Sequence, residues 1–302
     1  MVNNLKSKKM LKNKKELQIY KSKKLNNSNF DSFTLNDYQV YINLIAKIGG
    51  VDGQGSYLPP EKLKREHSLT AKEFSENFNT DLTYSYRAIK EAVNKLMKTD
   101  IKIKEADGYV RINVCSKAEY KERQGYITIK FTDDIMPYLA QVTEKFTLYN
   151  LKEVSQFKSI YSFRLYELLQ DFKDTGYMIL SITKLRDCFG VVDKFEIYNN
   201  LKRKTFGHAV EEINATYKMN LKFEEIKERR KVVSLKFTFN KTKIDRRYNN
   251  RTGKYTNEYT KPEIITKPKK SVISNEVLEG QLSFDDAKQD NQHISSTLGK
   301  WL

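Results

Sequence analysis

One order of elements occurs twice in this chain, and the repetition limits what it can fold into. From Thr34 an apolar pattern at helical spacing (Leu35, Tyr38, Tyr41, Ile42, Ile45, Ile48) runs to Gly49-Gly50. A loop rich in Gly and Pro, GGVDGQGSYLPP, separates it from TAKEFSENFN, a short turn near Thr80 to Leu82, and TYSYRAIKEAVNKLMK, whose Ile89, Ala92, Val93 and Leu96 share a face. IKIKEADGYVRINV then alternates with period two around Asp107-Gly108, a strong hairpin signal, and GYITIKFT is a candidate third strand. The order returns with the helical FKSIYSFRLYELLQDF, a short helix SITKLRDCFG closed by Gly190, one long helix over residues 198–220, and two alternating strands around Glu228-Arg229-Arg230. Helix, short helix, long helix and hairpin make the order of a winged helix, and two copies predict an internal duplication.

The expected fold is therefore α+β, with two tandem winged-helix domains related by pseudo-duplication and with basic, flexible terminal tails. The expected divisions are a basic N-terminal arm over 1–29, a first winged-helix domain over 30–144, a second over 145–243, and a largely disordered C-terminal tail over 244–302. Nine of the first 24 residues are lysines, and residues 241–270 carry ten Lys or Arg against three acids. From Val272 the tail turns acidic.

Charge points to a class of partner. The 55 Lys and Arg against 38 acids leave a net charge of +17, which favours phosphate backbones ahead of an anionic membrane surface. Neither a signal peptide nor a membrane span is evident, so the chain is expected to be soluble and cytoplasmic. The two cysteines, Cys115 and Cys188, indicate neither a disulfide framework nor a Cys-based metal site.

The helix at 198–220, YNNLKRKTFGHAVEEINATYKMN, supplies the main candidate site. Tyr198, Leu201, Phe206, Ala209, Val210 and Ile213 form its apolar arc, with Asn200, Arg203, Lys204, Gly207 and Glu211 opposite and Asn199 at the margin. A recognition helix aims its N-terminal residues at base edges, so Arg203 is suited to guanine, and Asn199 and Asn200 to adenine. Lys202 lies near the apolar edge and suits a phosphate. The hairpin tip that follows holds Lys227, Arg229, Arg230 and Lys231, a basic wing for backbone positioning. A solvated charged face would also explain such a cluster in isolation. In the first copy Thr83, Tyr84, Arg87, Lys90 and Asn94 share the outward face of the corresponding helix, as a DNA contact, a solvated face or a dimer surface.

Catalytic signals are weak. A rolling-circle nickase needs two histidines one residue apart and a nucleophilic tyrosine, whereas the three histidines here are His67, His208 and His293. No G-x-x-x-x-G-K-[ST] phosphate loop occurs, and no cofactor or metal is expected.

KSIYSFRLYELLQDF, together with YNNLKRKTFGHAVEEINATYKMNLKFEEIKERRKVVSLKF, resembles the iteron-binding plasmid replication initiators of the Rep_3 type over roughly residues 145–240, more faintly over 30–140. Relatives often carry a proline shortly before the alanine of the A-x-x-E-I-N run, where this chain has Gly207-His208. The resemblance implies a non-enzymatic initiator that binds tandem direct repeats in origin DNA as a monomer, with the two domains reading successive major grooves. It further implies local melting of AT-rich DNA, recruitment of the host initiator and replicative helicase, and a dimer that represses its own gene. Gln281-Leu282-Ser283-Phe284 partly resembles a sliding-clamp-binding peptide. A double winged-helix transcription regulator on a palindromic operator is the main rival reading.

Overall fold

The computed structural model describes residues 17–30, 33–49, 58–105, 107–140, 146–217, 219–241, 244–249 and 254–259. Strand β1 (Gln18–Ser22) opens it and the single-turn helix α1 (Lys23–Asn26) follows. Helix α2 (Leu35–Ala46) starts at a capping box. The Asp37 N–H donates to Thr34 Oγ1, and the Thr34 N–H donates to the Asp37 carboxylate at 2.7 Å, so two donors that a helix start leaves open are satisfied. Strand β2 (Glu66–Thr70) leads directly into α3 (Ala71–Phe78), which Thr70 and Glu73 cap in the same way. Asn79, at a φ of 51°, ends α3, and Asp81 caps α4 (Leu82–Leu96). The expected apolar arc of α4, with Ile89, Ala92, Val93 and Leu96, is buried.

Two hairpins follow where one wing was expected. Strands β3 (Asp100–Glu105) and β4 (Gly108–Asn113) pair with Glu105 opposite Gly108, so Gly108 of the expected Asp107-Gly108 turn is the first residue of β4. The wing itself is the next pair, β5 (Cys115–Lys121) and β6 (Tyr126–Phe131), with β6 lying between β5 and β2 in a three-stranded antiparallel sheet. The first hairpin is thus an insertion, and the candidate third strand is the inner strand of the wing. Alternation is the same in both hairpins; pairing with β2 distinguishes them.

After α5 (Met136–Leu139), β7 (Phe146–Asn150) and α6 (Leu151–Val154) comes α7 (Ile160–Gln170), and the order repeats. Strand β8 (Tyr177–Ser181), α8 (Ile182–Cys188), α9 (Tyr198–Lys204), α10 (Phe206–Thr216), β9 (Lys222–Glu228) and β10 (Lys231–Thr238) complete the second unit. Here β10 lies between β8 and β9, as β6 lies between β2 and β5. In both units the strand between the first two helices pairs with the inner wing strand, so the duplication extends to sheet topology. Gly190, at a φ of 63°, closes α8: its N–H donates to the Asp187 carbonyl at 3.0 Å and the Val191 N–H to that of Arg186 at 2.9 Å.

Three of the expected boundaries shift. Strand β1 pairs antiparallel with β7 from Gln18 opposite Asn150 to Ser22 opposite Phe146, so residues 18–29 belong to the fold and not to a basic arm. Lys21, one of the lysines assigned to that arm, is fully buried and donates to the Glu167 carboxylate at 2.5 Å and to Tyr38 Oη at 2.9 Å. Buried Arg164 donates to the other Glu167 oxygen and to Tyr38 Oη, both at 2.9 Å, and to the carbonyls of Asn26 and Ser28 at 2.6 and 3.0 Å. Tyr38 and Tyr149 also donate to Glu167. Helix α7 therefore shares a buried polar network with β1, α2 and β7, and a division at 144/145 would cut through it. The third shift is in the C-terminal tail, where β11 (Ile244–Asn249) and β12 (Lys254–Tyr259) form an antiparallel hairpin within a stretch expected to be largely disordered. Residues 1–16 and the Gln281–Phe284 peptide lie outside the described residues.

Candidate nucleic-acid interface

The expected long helix of residues 198–220 is two helices. Helix α9 ends at Lys204 and α10 starts at Phe206, with Thr205 between them at φ −124° and ψ −100°. Thr205 Oγ1 donates to the Leu201 carbonyl at 2.6 Å, and the Thr205 carbonyl accepts from the Ala209 N–H at 2.9 Å, so the break is bonded on both sides. Leu201, Phe206, Ala209, Val210 and Ile213 stay buried across it. Gly207 makes the close approach possible, because a Cβ there would stand 2.6 Å from the Lys202 carbonyl oxygen. The tight contact at Gly207 is thus internal, backbone against backbone.

The wing is fastened to α10 by aromatic contacts and to α9 by ionic ones. Phe206, Phe223 and Phe237 pack with ring centroids 5.1 to 6.5 Å apart. Glu225 on β9 accepts hydrogen bonds from Tyr198 Oη and Lys202 Nζ, both at 2.9 Å. The Lys202 hydrogen bond holds the Glu225 carboxyl below its ordinary range against the opposing effect of burial. Burial, and then Glu225, raise the Tyr198 phenol. Lys202 also stands 5.2 Å from the Phe223 ring centroid. Lys202 thus anchors α9 to the wing, with its side chain 41% exposed. Lys227 leans toward the same carboxylate, 3.6 Å away.

What remains outward is the rest of the candidate set. Asn199, Arg203 and Lys204 are exposed and Asn200 is half-buried, and neither Arg203 nor Lys204 makes an ion pair among the described residues. Arg229, Arg230 and Lys231 stand exposed at the wing tip. Arg229 has a left-handed φ of 54°, a conformation that costs a side-chain-bearing residue about 1–2 kcal/mol relative to glycine.

On α4 the expected face divides. Thr83, Tyr84 and Arg87 point outward, with the Arg87 guanidinium 5.7 Å from the Tyr84 ring centroid and Tyr84 Oη accepting from Asn36 at 2.5 Å. Lys90 and Asn94 instead face the first wing: Lys90 pairs with Glu122 at 2.6 Å, and Tyr120 donates to Asn94 at 2.6 Å. An exposed pair such as Lys90–Glu122 adds little to stability, because water screens it.

Two residues that shape the site escaped sequence reasoning. Glu225 is one. Arg186, in the last turn of α8, is the other: it donates to the carbonyls of Lys194 and Phe195 at 2.6 Å, of Val191 at 3.2 Å and of Glu196 at 3.3 Å. It thereby folds the loop that delivers α9. The available signal was a basic side chain in a helix's last turn before a Gly C-cap, a position from which carbonyls can be reached. His67 is a core histidine, its Nε2 hydrogen-bonded to the Lys64 carbonyl at 2.6 Å. Among the described residues no cluster of His, Cys, Asp and Glu is placed to hold a metal, and no helix is long and apolar enough to cross a membrane.

Residues 18–170 match the family of initiator replication proteins in its WH1 domain (Rep3_N), and residues 181–239 match the WH2 domain of initiator Rep proteins (Rep3_C). The chain belongs to the Rep3 family of initiator proteins. Its two units are the WH1 and WH2 of that family, and the WH1 match runs through α7, the helix that the buried network ties to β1 and α2. A replication initiation protein of Escherichia coli is 28% identical over 112 residues, covering 36% of this chain and 34% of the relative. The PI protein of Escherichia coli is 27% identical over 166 residues, covering 49% and 54%. The chain thus spans about a third and about half the length of these two relatives. The crystal structure of the Pi initiator protein in complex with iteron DNA shares the Rep3 fold, with a TM-score of 0.61 at 21% identity, covering 74% of this chain and 97% of that one.

Proposed function

We propose that this chain is a non-enzymatic plasmid replication initiator, acting in the cytoplasm, that binds tandem direct repeats of origin DNA through its two winged-helix units. The observation that carries the reading is the free cationic edge of α9, with Arg203 and Lys204 exposed and unpaired beside a wing tip of Arg229, Arg230 and Lys231. Base-reading and backbone-positioning groups then sit on adjacent elements that Glu225 and the Phe206–Phe223–Phe237 cluster hold together. Tyr84 and Arg87 on α4 make the second contact, in a neighbouring groove. Bound DNA promotes melting of an adjacent AT-rich segment and recruitment of the host initiator and replicative helicase. Monomers bind the repeats and dimers repress the gene, while Gln281–Phe284 contacts the sliding clamp. The Pi initiator, a structural neighbour, was crystallised on iteron DNA.

Sequencing of DNA captured by the full chain should return tandem direct repeats. A lone palindrome would instead make it a transcription regulator, and a covalent tyrosyl–DNA product with divalent metal a nickase. Within the interface, Arg203→Ala should relax base preference at one position by about 1–3 kcal/mol. Arg230→Ala should weaken all sequences alike and reduce the slope of log affinity against log salt by about 0.9. Unchanged base preference in Arg203→Ala would remove α9 from the groove.

A further inference from the structure

Six large apolar side chains stand exposed among the described residues: Leu82, Tyr84, Tyr109, Val110, Val192 and Ile197. Single exposed hydrophobics are ordinary on protein surfaces. Their placement here is not scattered. Leu82 is the first residue of α4 and Tyr84 lies two further on; Ile197 is the N-cap of α9 and Val192 belongs to the loop before it. The remaining two lie on β4 of the inserted hairpin. Each unit thus exposes apolar side chains at the head of its third helix, and the more exposed of the two at each head is Ile197 at 65% in the second unit and Leu82 at 54% in the first.

These heads are held firmly. The Ile197 carbonyl accepts from the N–H groups of Asn200 and Leu201 at 3.0 and 3.1 Å, and Arg186 pins the carbonyls of Phe195 and Glu196 just before it. A β-branched side chain on so fixed a backbone has little rotamer freedom left to lose on contact. Ile197 is also three residues before Asn200 and seven before Lys204, a spacing that puts the three in one stripe along α9. Leu82 is fixed by the Asp81 cap and stands ahead of Thr83, Tyr84 and Arg87.

Exposed cations lie on the same helices, Arg203 and Lys204 on α9 and Arg87 on α4, and the N-terminal residues of a recognition helix are the ones that reach base edges. The apolar group that the major groove presents at those edges is the C5-methyl of thymine. We propose that Ile197 and Leu82 are thymine-reading residues, each packing its side chain against one thymine methyl, Ile197 in the WH2 contact and Leu82 in the WH1 contact. The assignment rests on the DNA-reading function proposed above. It adds to Arg203 a second, apolar component of specificity and gives α4 a base-reading group that its sparse charge did not provide.

Deoxyuridine lacks only that methyl, which makes the test selective. The full chain is used to enrich duplexes from a random pool, and each thymine of the enriched duplex is replaced singly by uracil. Binding by the unmodified protein should weaken about fourfold at one position per unit, the change expected from losing the burial of one methyl. Ile197→Ser should bind thymine and uracil duplexes equally at one of these positions, and Leu82→Ser at the other, while Lys231→Ala keeps both discriminations. Both side chains are exposed, so the variants should retain the circular dichroism of the parent. Indifference of the parent to every uracil, or discrimination that survives both serine substitutions, overturns the assignment while leaving sequence-specific binding intact. Failure to enrich any sequence overturns the DNA-reading function itself, and this assignment with it.

Discussion

Replacing Glu167 by alanine is expected to lower the unfolding free energy by about 3–5 kcal/mol, the usual size when one partner of a buried ion pair is removed. The carboxylate accepts from Lys21, Arg164, Tyr38 and Tyr149, so its lone-pair positions are filled, and Lys21 and Arg164 are themselves buried. Without it the two buried cations lose the carboxylate they are bonded to, and the hydrogen bonds by which Lys21, Tyr38 and Tyr149 reach α7 at Glu167 are lost. Glu167→Gln keeps the shape and removes the charge, so it should cost less than alanine but still deprive Lys21 and Arg164 of their bonded counter-charge.

Glu167 also sets an acid limit on stability. Burial pushes its carboxyl up, but Lys21 and Arg164 outweigh that and hold it below the ordinary glutamate range. Burial pulls the Lys21 ammonium down to about 8, so it remains charged at neutral pH and the pair is intact there. A carboxyl lowered on folding contributes stability in full above its unfolded pKa, and the contribution disappears as pH falls through the lower folded value. Denaturant unfolding of the parent should therefore show a falling acid limb that Glu167→Gln flattens. A loss under about 1 kcal/mol for the alanine variant at neutral pH would mean that the network does not form, since even one unsatisfied buried partner costs more.

Local signals carried much of this fold, and distant pairings carried the rest. Caps at Thr34, Thr70 and Asp81 and the glycine at 190 each satisfy or terminate a helix with groups a few residues away, so helix starts and stops are readable from neighbours. The pairing of β1 with β7 joins segments far apart in the chain, and nothing within QIYKS distinguishes Lys21, which is buried, from the lysines before it. The wing of the first unit was misplaced for a similar reason: β3–β4 and β5–β6 alternate alike, and only the remote β2 selects β6. At the candidate site the exposure of Arg203 and Lys204 follows from helical period. The role of Lys202 does not, because its partner Glu225 lies across the unit on β9. The break at Thr205 was hidden too, since Leu201, Phe206, Ala209, Val210 and Ile213 keep a helical apolar spacing through it.

That break makes Gly207→Ala a test whose sign is opposite to the ordinary one. In an uninterrupted helix, alanine for glycine stabilises by up to about 1 kcal/mol. Here the new Cβ would lie 2.6 Å from the Lys202 carbonyl oxygen and 3.4 Å from its carbonyl carbon, and neither atom belongs to a side chain that could swing aside. Relief requires α9 to move against α10, and overpacking of this kind costs about 1–3 kcal/mol. The displaced segment is the one Glu225 holds through Lys202 and the one that carries Arg203 and Lys204, so specific DNA binding should fall more than non-specific binding. His208, one residue on, is exposed and supplies the control: His208→Ala should leave unfolding and specificity close to the parent. A Gly207→Ala variant that melts higher than the parent would show a continuous helix through residue 205, and the free edge of α9 would then face elsewhere.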